Sequence, residues 1–251
     1  MAGLIDFHAT VGSNVSFEGK SFSTGATKVT CILTTDNLSI KGGGPKPGAC
    51  KIVNRLNTNW DVRSLIDIKN VQAALKDKTT LKKLSEASSV DKILSLLGLE
   101  EIAMLADYSE LQAQKYVKGH LLAQGLGGPG DDRNLTPMSS RCNFRYSTVF
   151  EGKMIAAIRE AKQIEEKSNF RVKFQFTAEC SGHKTSWWRA TKETKAMLNG
   201  LPATLIASCV PIGFFKENPK NEKIAYSKLP DIAKKQFRKF QKGIGPCKIA
   251  L

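Results

Sequence analysis

Acidic residues are scarce in this chain: 23 Asp and Glu stand against 38 Lys and Arg, leaving a net charge of +15. Histidine is scarcer, at three in 251 residues, so imidazole chemistry has few places to reside. No apolar run approaches the roughly 20 residues of a membrane-spanning helix, and no membrane partner is expected. The opening stretch MAGLIDFHATVGSNVSFEGK has neither a basic leader nor a long apolar segment. A secretory signal peptide is therefore not expected, and synthesis in the cytoplasm is. None of the six cysteines is paired at C-x-x-C spacing. That leaves a zinc site unsupported and makes free, buried thiols the expectation. A G-K-[ST] phosphate loop, internal repeats and low-complexity tracts are also missing.

What is present is an ordinary hydrophobic fraction, 41%, on a chain long enough to bury a substantial core. The charge is uneven: residues 171–251 hold 16 basic and 5 acidic residues, +11 of the total. Clustered Lys and Arg favour a polyanionic partner, because they displace counterions condensed on phosphates.

Periodicity predicts a mixed α+β chain. ATKVTCILTTDNLSI reads as a strand, β-branched from Val29 to Ile40. KGGGPKPGAC reads as a loop, and residues 41–60 as a candidate linker. DVRSLIDIKNVQAALK and SSVDKILSLLGLEEIAMLADY have helical spacing, with Asp61 and Ser89 as N-caps and Gly98 as a break. STVFEGKMIAAIREAKQIEEK is a helix that Ser147 can cap. RVKFQFTAE alternates as a half-buried strand, TLIASCVPIGFF is a more buried one broken at Pro211, and DIAKKQFRKFQKG is a basic amphipathic helix.

The stretch KGHLLAQGLGGPGDDRNLTPMSSRCN concentrates the chemistry. Gly125, Gly127 and Gly130 spell G-x-G-x-x-G, with the acidic Glu151 about 20 residues on. A dinucleotide loop, however, needs a helix opening at its last glycine, and Pro137 and the Leu-Thr pair oppose one here. Pro129 also lacks an N–H where the loop should meet a phosphate. The better reading is a hairpin: KYVKGHLLA, a GGPGDD turn, then RNLTPM, with a helix following from about Cys142. That order carries His120 and Asn143 towards one place.

These residues resemble the DNA/RNA non-specific endonucleases of the His-Me finger (ββα-metal) superfamily. Gly119-His120 matches the histidine strand, and Asn134-Leu135-Thr136-Pro137 the return. Asn143 follows Asn134 by nine residues, and Glu151 follows Asn143 by eight. The short glycine loop is similar to compact variants found in bacterial toxins and effectors. The resemblance implies one nuclease-like domain over 1–251, with a ββα-metal core at about 114–166. A strand and helical region, 1–113, would precede it, and a basic region, 167–251, would follow. It implies His120 as general base on water, Mg²⁺ or another divalent cation held by Asn143, and Glu151 orienting metal-bound waters. Lys118, Arg133 and Arg141 would contact phosphate, and Gly119 and Asn134 would support the hairpin. DNA, RNA or both are the implied substrates. Toxin use would add an immunity protein and delivery by a secretion or injection apparatus.

Three positions depart from the family pattern. Lys118 replaces an arginine, Val117 an aspartate, and Ile155 an arginine for which Arg159 is the nearest substitute. Lys118 keeps the charge and loses the planar fork that grips phosphate twice. The alternative function is therefore a weak or inactive nuclease fold that binds nucleic acid or serves as a cargo or structural module. Structural roles also stand beside the catalytic ones: Asn143 as a helix cap, Glu151 as an exposed helix residue, Asn134 as a turn tie. Two further features stand outside this pattern. Cys180 near His183 suggests a nucleophile pair without an orienting acid. KTSWWRATKETK sets Trp187 and Trp188 among basic residues, a pattern suited to single-stranded nucleic acid or to core packing.

Overall fold

A computed structural model describes residues 4–17, 19–58, 68–97, 116–167, 170–182, 201–216, 223–240 and 243–251. The chain divides into two compact units, Met1–Val53 with Val117–Leu251, and Asn54–Tyr116. The expected class, α+β with a mainly antiparallel sheet and flanking helices, is what the structure shows.

The larger unit is built on a six-stranded antiparallel sheet. Strands β1 (Ile5–Val11), β4 (Ala26–Leu33), β7 (Phe170–Ser181), β8 (Thr204–Lys216) and β10 (Ile244–Ala250) lie in the order β1-β4-β7-β8-β10. The short β9 (Lys223–Ile224) pairs with the end of β8. Two more short strands, β2 (Val15–Phe17) and β3 (Lys20–Phe22), pair with each other. The alternation in RVKFQFTAE is realised in β7, where Val172, Phe174, Phe176, Ala178 and Cys180 are buried on one face. The register sets Cys31, Phe176 and Cys209 side by side across three strands. Each fully buried large apolar side chain here contributes roughly 1.5–3 kcal/mol.

One long helical stretch covers this face. It comprises α5 (Ser140–Tyr146), a π turn (Ser147–Glu151) and α6 (Gly152–Glu165). Met154, Ala157, Ile158, Ala161 and Ile164 form its buried stripe on α6. Glu165 pins the far end: its carboxylate accepts from Val172 N–H at 2.7 Å and from the Thr35 hydroxyl. A two-stranded sheet, β5 (Tyr116–His120) with β6 (Leu135–Ser139), precedes α5. The basic helix α7 (Asp231–Phe240) forms where DIAKKQFRKF placed it.

The smaller unit holds α2 (Ile68–Lys76), α3 (Lys78–Ser85) and α4 (Val90–Leu96). Helix α1 (Ile52–Thr58) leads into it. Asn57 ties its ends, donating to Tyr116 O at 2.8 Å and accepting from Tyr116 N–H at 3.1 Å. Ser89 caps α4 as expected, accepting from Lys92 N–H. Asp61 and Gly98 lie outside the described residues, as do His183 and the KTSWWRATKETK segment. No helix among the described residues is long and apolar enough to cross a membrane.

Several boundaries differ from the sequence reading, each for a local reason. The strand expected to Ile40 stops at Leu33, because Thr34 and Asn37 form a capping box that winds Thr35–Ser39 into a 3-10 turn. Ser147 does not cap a helix. Ser139 does, accepting from Cys142 N–H, and the helix runs through Ser147. Pro211 does not break β8: Gly213 pairs with Lys173 and Pro211 with Phe174, so Ile212 is looped out as a bulge. The strand expected to Ala123 ends at His120, because the Asn134 side chain takes both Leu122 backbone groups. Residues 41–50 are not a linker, since they hydrogen-bond to the loop that follows β5.

Candidate active site

The site lies where β5, β6 and the start of α5 meet. Asn134 is fully buried and organises the long loop between the strands. It accepts from Leu122 N–H at 2.8 Å and donates to Leu122 O at 3.0 Å and Pro129 O at 3.1 Å. Gly128 and Gly130 of GLGGPG are explained by close backbone contact. A β-carbon at Gly128 would stand 2.0 Å from Leu122 O, and one at Gly130 would stand 1.8 Å from Gly44 O. Two glycine-rich segments, 41–44 and 125–130, thus lie backbone against backbone.

Helix α5 is held against this loop by Tyr146. Its buried hydroxyl donates to Leu121 O at 2.6 Å, and its ring stacks on Phe150 at 5.5 Å. Asn143 sits on the first turn of α5, and because Ser139 is the cap, the Asn143 side chain is not used for capping. A β-carbon at Gly119 would stand 3.1 Å from Asn143 Oδ1 and 2.5 Å from Met138 Sδ. Glycine at 119 therefore lets the strand carrying His120 approach the asparagine oxygen. Among the described residues nothing donates to that oxygen.

His120 is half-buried, and its Nε2 lies 3.0 Å from Gly43 O. Burial holds its imidazole below the usual value, opposed by the Gly43 hydrogen bond. The ring is therefore neutral at pH 7. Glu151 closes the π turn. Eight residues of regular α-helix would rotate it about 80° from Asn143; the extra residue absorbed by the wide turn reduces that to about 20°. Burial pushes the Glu151 carboxyl up to about 7, against the lowering effect of the Ser147 hydroxyl.

That carboxyl has a consequence for stability. Its value in the fold is above the unfolded one, so the fold binds the proton more tightly. Stability from this group is full below about pH 4.5 and is lost as pH rises through 7. The loss is about 3 kcal/mol. Urea unfolding of the wild type and of Glu151→Gln between pH 4.5 and 8 checks it. Only the wild type is expected to lose this increment.

The cations near the site are engaged. Lys118 Nζ donates to Lys46 O at 3.3 Å and Pro47 O at 3.0 Å. Arg133 grips Asp131 with two hydrogen bonds, at 3.0 and 2.8 Å. Arg141 is exposed on the first turn of α5, and Arg159 is exposed on α6. Val117 and Ile155 pack against the core. Cys180 is buried with its thiol pushed up to about 12, which makes it a poor nucleophile. The six cysteines are free thiols.

A family model described as DNA/RNA non-specific endonuclease matches residues 78–188. Residues 78–188 are thus similar to a DNA/RNA non-specific endonuclease domain. His120, Asn134, Asn143 and Glu151 all fall inside it. The His-Me finger placement is consistent with that family. No curated protein and no solved structure matches the chain.

Among the described residues there is no group of three or more His, Cys, Asp or Glu residues able to hold a metal. Asn143 Oδ1 nevertheless suits a hard cation: it is a carbonyl oxygen to which none of the described residues donates. One protein oxygen suffices for an ion such as Mg²⁺ that keeps most of its waters. The sequence reading missed the segment 41–50 altogether as a part of the site. Its four glycines and two prolines signal a loop, and nothing in them signals where it docks.

Proposed function

We propose that the chain is a divalent-metal-dependent, sequence-nonspecific endonuclease that hydrolyses phosphodiester bonds in DNA, RNA or both. The observation that carries this reading is the approach of the His120 strand to Asn143 Oδ1, which Gly119 permits. His120, neutral at pH 7, takes the proton of the attacking water. The water oxygen bonds to phosphorus as the bond to the leaving oxygen breaks. Asn143 would hold the cation, which when bound neutralises charge on the phosphate and steadies the leaving group. Glu151, in line with Asn143, orients the waters there once ionised. Arg141 contacts the backbone, and Lys118 and Arg133 do so when substrate displaces their present partners. Residues 171–251, at +11, supply a sequence-independent attraction for the polyanion. A bacterial toxin or effector use, with an immunity protein and specialised delivery, fits the compact glycine loop.

A second reading is favoured by the engagement of Lys118 and Arg133: a fold that binds nucleic acid and does not cut it. Supercoiled plasmid and RNA incubated with the purified chain separate the two. Cleavage in Mg²⁺ and none in EDTA is expected. Salt-sensitive binding with no cleavage in any divalent metal, by a folded protein, overturns the nuclease reading in favour of the second.

A further inference from the structure

The segment Lys41–Cys50 is fastened to the His120 loop along its length. At one end Gly42 N–H donates to Gln124 O at 2.9 Å, and the Gln124 side chain returns a bond to Gly42 O at 3.3 Å. In the middle Lys46 N–H donates to Gly130 O at 2.7 Å, while Lys46 Nζ lies 3.7 Å from Asp131. At the other end Asp132 Oδ1 accepts from Cys50 N–H at 2.6 Å and from the Ser23 hydroxyl at 3.0 Å. Within this strap the Gly43 carbonyl meets His120 Nε2, and the Lys46 and Pro47 carbonyls hold Lys118.

A carbonyl oxygen can only accept. In the neutral ring, Nε2 must therefore carry the hydrogen, and Nδ1 keeps its lone pair. Among the described residues Nδ1 has no hydrogen-bond partner. A base that acts at one ring nitrogen gains from a fixed partner on the other, because the bond sets both tautomer and ring orientation. His120 is half-buried, and the strap meets it at Nε2.

We propose that Lys41–Cys50 is a positioning strap for the general base: the Gly43 carbonyl fixes His120 so that Nδ1 receives the proton of water, and Asp132 pins the strap. The proposal rests on the nuclease reading for its catalytic consequence, and on the hydrogen bond alone for its structural one. Gly43 and Asp132 are positioning residues that act through His120.

The Gly43 bond can be weakened without changing any side chain. Replacing Gly44 by glycolic acid turns the Gly43 carbonyl into an ester, a weaker acceptor. The Gly44 N–H that is lost has no hydrogen-bond partner among the described residues. Ligation at Ala49–Cys50 joins a synthetic segment 1–49 to the remainder and leaves the native sequence otherwise intact. The same ligation with an all-amide segment is the control. The control is expected to show a His120 Nε2–H proton in NMR spectra. The ester is expected to shift that signal upfield, and to lower kcat roughly three- to tenfold with KM unchanged.

Asp132→Ala is expected to match the ester, and Asp132→Asn, which keeps the accepting oxygen, to recover most of the loss. A control protein protonated at Nδ1 overturns the proposal. So does an ester protein with the signal shifted and kcat unchanged, which leaves the nuclease reading standing. A control that shows the bond and cuts nothing sinks the nuclease reading, and the catalytic role of the strap with it.

Discussion

His120→Ala is expected to lower cleavage by roughly 10²- to 10⁴-fold, the usual contribution of a positioned general base. The loss should fall on kcat, because in the proposed mechanism the imidazole acts on the proton of water as the bond forms. Substrate binding, assigned in the proposed function to the basic residues of 171–251, should hold. The substitution is a fair test of chemistry rather than of folding. His120 is half-buried and its ring makes a single hydrogen bond, to Gly43 O. No buried donor is orphaned by its removal: the vacated Gly43 carbonyl lies on a segment that water reaches. Far-ultraviolet circular dichroism and the unfolding midpoint should stay close to wild type. A folded His120→Ala protein that cleaves at the wild-type rate would remove His120 from the mechanism.

Asn134→Ala is expected to be the most destabilising single change near the site, by roughly 3–5 kcal/mol. The side chain is fully buried and makes three hydrogen bonds, to Leu122 N–H, Leu122 O and Pro129 O. Truncation leaves these backbone groups without their partner where the chain is tightest, beside Gly128. Asn134→Asp is not a rescue. It keeps the acceptor for Leu122 N–H, loses both donors and places a carboxylate against two carbonyls. Denaturant unfolding checks the pair. A loss under about 1 kcal/mol for Asn134→Ala would show that the loop between β5 and β6 is held by the glycine contacts instead. His120 is two residues from Leu122, so activity and stability are expected to fall together in this variant, unlike in His120→Ala.

The parts of this protein that local chemistry controls were legible in advance. The alternation around Phe174 and Phe176 wrote a one-sided strand, and the apolar stripe from Met154 to Ile164 wrote the helix that covers it. The spacing of His120, Asn134, Asn143 and Glu151 carried the family resemblance that the match over residues 78–188 bears out. Ser89 as a cap was readable because a cap is a bond to a residue three positions away. Where local signals competed, the reading failed. Ser147 and Ser139 are equally good caps by composition, and only the packing of Tyr146 and Phe150 decides that the helix is already under way at Ser147.

The π turn, the bulge at Ile212 and the docking of Lys41–Cys50 were settled by tertiary structure alone. Each depends on a partner far along the chain. Asp132 meets Cys50 across 82 residues, and His120 meets Gly43 across 77. By itself the sequence determined which residues are apolar, at what period, and which polar side chains are available at what spacing. Those properties act over one or two turns of backbone. Whether two glycine-rich segments lie on each other is decided only when distant elements pack, because glycine removes the obstacle to close approach and names no partner.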